Sequence, residues 1–450
     1  MKTIIIGAGE LGLNIARHLV LENQNVTLID SDPEKLRAVN EMLDVQTILG
    51  MGSHPDVLEA AGCGSADMII AVTRSDEVNM VACQMAYSLF NVPKKIARVR
   101  HSSYRELVTG HLFTPDNMPV DVIISPEIEV ADALFQNISI AGAFDTTQFA
   151  QGEINLVGLH VREGSSFVNI PIQELTQGDA PTFALMAIFR KERIIVPRGH
   201  DHVEVGDEIY FACQSEDTEA VMSFMGFEKS LRPKRAFIIG GGRIGERIAT
   251  RLETTGVSTK ILEIDWDRAN TLAETMKGAL VIHGDAINKD LLIQENISDM
   301  DLVLAVTSND ATNALVSVMA RQLGAKHIVT RINQMNYMPL VEGLDLEKVI
   351  SPLEVTASRI LQHVRRGTIL SLHAIHEGKA QVLEAQVNKS SDILGRRIAD
   401  VDLPVGVNIG AIYSEEEGVV IPEADTILSR GDRIILFSTT EKITEVEGLF

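Results

Sequence analysis

The sequence predicts an α/β fold written twice: two tandem repeats, each a doubly wound parallel sheet followed by a small α+β lobe. Three observations predict it. First, the opening MKTIIIGAGELG is answered by RAFIIGGGRIG, with Gly7 corresponding to Gly240 at an offset of 233 positions. Second, short apolar runs alternate with helix-length segments in the first part of each repeat, the pattern of parallel strands joined by crossovers. Third, the later part of each repeat reads as hairpins, FALMAIFRKERIIVP and VNIGAIYSEEEGVVIP. Each is followed by a Gly-Asp turn (Gly206-Asp207, Gly431-Asp432) and a last apolar strand, EIYFAC or RIILFS.

Taken in order, TIIIG, VTLID, VQTILG, MIIAVT and KIARV are the strands of a large lobe at 1–140, with helices between them. A small lobe follows at 141–227, then the polar segment EKSLRPKR as a linker at 228–235. The second large lobe covers 236–366 and the second small lobe 367–450. Matching segments keep the alignment in step. SADMIIAVTRSDEVN answers SDMDLVLAVTSNDATN, KIARVRHSSY answers HIVTRINQMNY, and VIISPEIEV answers KVISPLEV. Such a persistent offset marks duplication.

Composition narrows the class. With 45% hydrophobic and 23% charged residues the chain is an ordinary globular one, and its apolar runs are of strand length, too short for a membrane helix. The apolar run after Lys2 ends at once in a glycine loop, which argues against a signal peptide. Cys63, Cys83 and Cys213 are three cysteines at wide spacing, neither a disulfide framework nor a metal knuckle, and imply a reducing cytoplasm. A formal charge of −22 opposes non-specific attraction to nucleic acid or anionic lipid, so a membrane partner is expected to be a protein.

The chemistry lies in the loops Gly7-Ala8-Gly9-Glu10-Leu11-Gly12 and Gly240-Gly241-Gly242-Arg243-Ile244-Gly245. Each is a G-x-G-x-x-G between a strand and a helix, the setting in which that weak motif becomes informative. The first glycine allows the tight turn, the second lets backbone approach a pyrophosphate, and the third lets helix pack on strand. Phosphates would then meet free N–H groups at the positive end of a helix dipole. Asp30 and Glu263, each 23 residues after the first glycine, end the second strands, placed to bond ribose hydroxyls and to repel a 2′-phosphate. The expected fold is thus Rossmann-like and the expected ligand NAD or an adenine nucleotide rather than NADP. Thr73-Arg74 and Thr307-Ser308 close the fourth strands, where such sheets form their ligand crevice, and Arg98 and Arg331 on the fifth strands are candidates to reach phosphates.

The repeats differ at the loops. Glu10 puts negative charge beside the first cradle and Arg243 positive charge beside the second, so on loop charge alone the first site tilts toward NAD(H) and the second toward ATP or ADP. Arg98 and Arg100 are placed to offset that tilt. His200 and His202 have alternate spacing open to a metal or to a plain polar loop, as have His373 and His376 less strongly. Trp266 is either packing or a cover for an adenine. No His or Lys with a partner acid is recognisable as a proton-transfer pair, which disfavours an oxidoreductase. Neither small lobe has a basic recognition helix, which disfavours a transcription regulator.

The duplicated G-x-G-x-x-G, the end-of-strand acid, AVT…D…N and the ISP before each small lobe together resemble, over the whole chain, the tandem RCK (also KTN) family of potassium-transport regulators. The resemblance implies a non-enzymatic cytosolic ring, a homotetramer presenting eight RCK units. It would attach at the inner face of the membrane to an integral potassium transporter or channel and gate it according to bound NAD(H), ATP or ADP. It carries ligand-binding roles onto Gly7, Gly9, Gly12, Asp30, Thr73 and Arg98, and onto Gly240, Gly242, Gly245, Glu263, Thr307 and Arg331. One departure is Gly50-Met51 in the first repeat where the second has Gly284-Asp285, so whatever contact Asp285 makes to a base is missing from the first site.

Overall fold

The computed structural model describes residues 1–105, 112–138, 140, 142–165, 167–175, 180–191, 193–227, 233–334, 337, 341, 343–344, 346, 348–364, 369–376 and 378–450. Most of the expected linker (228–232) and the expected boundary at 366/367 fall outside them.

In the first repeat β1 (Lys2–Ile6), β2 (Asn25–Asp30), β3 (Gln46–Leu49), β4 (Met68–Ala71), β5 (Lys94–Arg98) and β6 (Val122–Ile124) form a parallel sheet ordered β3-β2-β1-β4-β5-β6. The strands are nearly continuous apolar runs because helices cover both faces. The order reverses between β1 and β4, whose registers pair Ile6 with Ala71 on one side and with Ile29 on the other. The switch point therefore lies where the glycine loop leaves β1.

The first small lobe has β7 (Asp145–Phe149), β8 (Ile154–His160), β9 (Phe183–Arg190), β10 (Arg193–Ile195) and β11 (Glu208–Gln214), ordered β10-β9-β11-β8-β7 with antiparallel pairing. The second large lobe repeats the parallel design: β12 (Arg235–Ile239), β13 (Ser258–Glu263), β14 (Leu280–His283), β15 (Leu302–Ala305), β16 (His327–Arg331) and β17 (Lys348–Ile350) run β14-β13-β12-β15-β16-β17. The last sheet, β18 (Ile369–Ile375), β19 (Ala380–Gln386), β20 (Val407–Ser414), β21 (Gly418–Val420) and β22 (Arg433–Thr439), is ordered β18-β19-β22-β20-β21. Both hairpins read from the sequence are present, as β9–β10 and β20–β21. The sixth strands of the large lobes, three residues each, are additions to the sequence reading.

Packing groups the chain into two units that do not follow chain order: 1–129 with 353–381 and 438–448, and 130–352 with 382–437 and 449–450. In the first unit the helix Pro352–Val364 lays Ala357, Ile360, Leu361 and Val364 against Ile5, Ile15 and Leu19, completing the core on one face of the first parallel sheet. In the second unit Asp132, on the helix that follows β6, meets Arg251, whose guanidinium lies 4.3 Å from the Phe135 ring centroid. Within this unit the small-lobe sheets also meet. Asn408 Nδ2 donates to Leu185 O at 3.1 Å and to Met186 O at 3.3 Å, and the rings of Phe189 and Phe437 lie 6.4 Å apart.

Candidate functional site

The glycines of each loop have separable jobs. Gly7 and Gly240 both turn at φ +107, and a Cβ there would stand 3.0 Å from Thr73 N or 2.9 Å from Thr307 N. A Cβ on Gly12 would lie 1.8 Å from Gly7 O, and on Gly245 2.0 Å from Gly240 O, so only glycine lets the helix start this close to its strand. Gly9 and Gly242 would meet nothing within 4 Å, leaving an open side for a ligand. These last two are the N-caps of the helices Glu10–Leu21 and Arg243–Thr254 and offer no side-chain acceptor, so the first-turn N–H groups are left to an anion. Leu11 and Ile244 turn inward and are buried, whereas Glu10 and Arg243 are exposed at the loop.

The acids at the strand ends bind the loop itself. Asp30 accepts Ala8 N–H at 2.6 Å and Asp32 N–H at 2.9 Å; Glu263 accepts Gly241 N–H at 2.7 Å and Asp265 N–H at 2.9 Å. Each carboxylate oxygen keeps lone-pair capacity for a ribose hydroxyl. Asp285 is exposed and accepts Ile287 N–H at 3.0 Å, capping its own turn; Met51 at the matching place is 44% exposed.

At the ends of the fourth and fifth strands lies a second latch, for which the sequence reading assigned no roles. Asn79, wholly buried, accepts from Thr73 N–H (2.9 Å) and Thr73 Oγ1 (2.7 Å) and donates to Thr73 O and Arg98 O. Asn313 makes the same four bonds to Thr307 and Arg331. Asp76 accepts Arg100 and His101 N–H; Asp310 accepts Asn333 and Gln334 N–H. The repeated D-x-x-N after each AVT was the available signal. A short polar residue recurring at the start of a helix, three before a buried Asn, implies bonds to neighbouring strand ends.

The arginines part company. Arg331 donates to Thr307 O at 3.0 Å and to Asn333 Oδ1 at 2.8 Å. Arg98 is 8% exposed. Burial first, then neighbouring Arg100 and Arg74, push its pKa down to about 10, only partly opposed by Glu127 and Asp76. Where the second repeat has Ser308, Arg331 and Asn333, the first has three clustered guanidiniums, one of which, Arg100, pairs with Glu127 at 3.3 Å.

Trp266 is 60% exposed, edge-on to His283 at 5.0 Å, and thus not core packing. The His200 ring lies 3.8 Å from Asp201 and the His202 ring 3.5 Å from Glu204, and among the described residues no group of His, Cys, Asp and Glu is arranged to hold a metal. All three cysteines are buried thiols.

A phosphate loop at the switch point of each of two parallel sheets, each sheet followed by a small antiparallel lobe, defines a tandem RCK-type protein. The TrkA-N domain matches residues 3–126 and 236–352 and the TrkA-C domain matches 156–226 and 382–450, and the chain belongs to the TrkA family. It is 41% identical to the Trk system potassium uptake protein TrkA of Halomonas elongata and 38% identical to that of Azorhizobium caulinodans, in both cases over 100% of this chain and 98% of the relative. Among solved structures, the GsuK RCK domain aligns with a TM-score of 0.60 at 20% identity, over 99% of this chain and 94% of that one. The GsuK channel bound to NAD aligns with a TM-score of 0.60 at 20% identity, over 100% of this chain and 78% of that one. These likenesses concern the fold.

Proposed function

We propose that the chain is a nucleotide-sensing regulatory subunit of a potassium uptake system, with two ligand sites and no catalytic reaction of its own. The observation that carries this reading is the pair of complete phosphate loops, each pinned by its strand-end acid, in a chain similar along its whole length to Trk system potassium uptake proteins. The ligands are NAD(H) and ATP or ADP; a GsuK channel with NAD and a GsuK with ADP support this choice through a shared fold. Their phosphates lie on the loop N–H groups, their ribose hydroxyls on Asp30 or Glu263, and Arg98 reaches the terminal phosphate of the first ligand.

Such a ligand acts as a signal. It shifts a conformational equilibrium by its differential affinity for two states, about 1–3 kcal/mol per coupled site, and several sites in one assembly sum into a switch. The assembly is a homotetramer with eight RCK units, seated at the cytoplasmic face on an integral potassium transporter. Among the described residues no helix is long and apolar enough to cross a membrane, and the charge of −22 opposes anionic lipid. Attachment through a protein is therefore expected. The test is sedimentation with membranes that contain or lack the transporter, alongside pure anionic vesicles. Co-sedimentation only when the transporter is present supports the reading; equal binding to protein-free vesicles overturns it.

A further inference from the structure

We propose that Arg268 is a positioning residue of the second site, holding the phosphate loop there in its ligand-ready form by a bond that has no counterpart at the first loop among the described residues. The inference rests on the two-site reading above and adds a cause for unequal sites.

Arg268 lies on the helix Trp266–Thr275, just beyond the Glu263 strand end. Its Nε donates to Gly241 O at 2.8 Å, and its Nη2 donates to Glu246 Oε2 at 2.6 Å, on the helix that the loop opens. Gly241 is the second residue of the loop, and its N–H is already held by Glu263 at 2.7 Å. Both polar groups of this residue are therefore fixed by side chains. In a planar trans peptide the C=O of one residue and the N–H of the next point in opposite directions. Anchoring Gly241 O to Arg268 therefore fixes the direction of Gly242 N–H, at the glycine whose Cβ side is open. A loop fixed in this way before binding loses less conformational freedom when a pyrophosphate arrives.

The first repeat replaces the device part by part. Lys35 occupies the place of Arg268 and turns instead to Asp30 (3.9 Å) and Asp32 (3.7 Å). Leu13 stands where Glu246 does. The packing is exchanged as well: Ala8 and Val39 correspond to Gly241 and Leu272, and a Cβ on Gly241 would stand 2.4 Å from Leu272 Cδ1. The methyl group has moved from the loop to the helix, so that in the second repeat the helix carrying Arg268 lies close over a bare glycine. The Arg268–Glu246 pair itself is partly exposed, at 30% and 36%, and such a pair contributes little to stability. Its geometry at the loop is therefore the property to test.

The experiment uses the full chain with Gly9→Asp, which places a carboxylate at the open side of the first loop and leaves the second site to be read alone by NADH fluorescence and ADP competition. In that background Arg268→Ala should weaken NADH and ADP alike by about tenfold, the loss of one charge-assisted hydrogen bond. Arg268→Lys should recover little of it, because Lys35 at the matching place of the first repeat turns to Asp30 and Asp32 rather than to the loop, and the melting temperature of the ligand-free protein should stay within error. In the opposite background, Gly242→Asp, Arg268→Ala should leave the first site untouched. The proposal is overturned if Arg268→Ala or Arg268→Lys binds as tightly as its parent, or if both sites weaken together. A Gly9→Asp protein that binds no nucleotide, while still folded, refutes the second site itself and the proposal with it.

Discussion

Asp30 takes the N–H of Ala8 at 2.6 Å, so the carboxylate proposed to meet a ribose also sets the shape of the loop proposed to hold the phosphates. Glu263 does the same for Gly241 at 2.7 Å. Removing either acid should therefore cost its own site twice over, through loop disorder and through the lost ribose bond. Calorimetry on the parent should give two nucleotides per chain. Asp30→Ala and Glu263→Ala should each abolish or weaken one of them, by at least tenfold for two lost bonds of about 1 kcal/mol or more each. A single site insensitive to both changes would remove the basis for a duplicated sensor.

How far this was legible in the sequence follows from the range of each interaction. Gly7, Gly12, Gly240 and Gly245 could be assigned because a left-handed turn and a helix starting within a carbonyl's reach are local demands that glycine alone meets. The five long strands of each large lobe and the antiparallel small lobes were legible from periodicity and turn residues. What could not be read was where an apolar face would dock. Ile360, Leu361 and Val364 announce a buried stripe, but nothing in their spacing says that it completes the core of the first large lobe. The Asn79 latch was hidden for a similar reason, as its donors and acceptors at Thr73 and Arg98 lie on two strands and the partners are backbone groups.

The Asn79 latch should prove costly to open. Asn79→Ala strips partners from Thr73 N–H, Thr73 O and Arg98 O in a buried place, and each unmet group costs about 1–3 kcal/mol. We expect a loss of stability of roughly 2–4 kcal/mol, bounded by partial hydration, and a similar loss for Asn313→Ala. Chemical denaturation of the two variants checks this. Asn79→Asp should not restore stability, because it keeps the acceptor for Thr73 but loses the donor for Arg98 O. A variant within error of the parent would mean that the latch is dispensable.

His363 gives the first unit an acid-side weakness. Burial, then the nearby cations Arg359 and Lys94, push its pKa down to about 4. The unfolded chain, with a histidine near 6.5, therefore binds a proton at pH values where the folded one does not. Stability from this group is full above about pH 6.5 and falls as pH drops toward 4. As the ring is only half-buried, solvent screening should limit the loss to about 1–2 kcal/mol. Melting curves between about pH 7 and pH 4.5 should show that decline in the parent and a flatter one in His363→Gln. Parallel curves would assign the acid sensitivity to other groups.

The last prediction concerns which ligand each site prefers. Loop charge alone would tilt the first site toward NAD(H), because Glu10 lies in its loop, and the second toward ATP or ADP, because Arg243 lies in its own. The arginines of the first repeat pull in the opposite direction. Arg98 is buried and is crowded by Arg100 and Arg74, an arrangement that repels itself until an anion arrives, whereas Arg331 already donates to Thr307 O and Asn333. ATP brings about four negative charges near neutral pH and NAD brings two in its pyrophosphate, partly offset by the nicotinamide. A charge at contact is worth about 4 kcal/mol at an effective dielectric of about 20, and screening leaves roughly 1 kcal/mol of it. The two guanidiniums added in the first repeat, Arg74 and Arg100, offset Glu10 and the absence there of a counterpart to Arg243, so the two sites should prefer ATP over NADH by similar margins. Arg98→Ala and Arg100→Ala should each lower ATP affinity at the first site about fivefold to tenfold more than NADH affinity. Glu10→Arg should sharpen the ATP preference there, and Arg243→Glu should blunt it at the second site. Affinities for both ligands, measured at each site with the other disabled, decide the matter: if the arginine variants weaken ATP and NADH equally, the cluster serves the fold and Glu10 and Arg243 are left as the charges that set the choice.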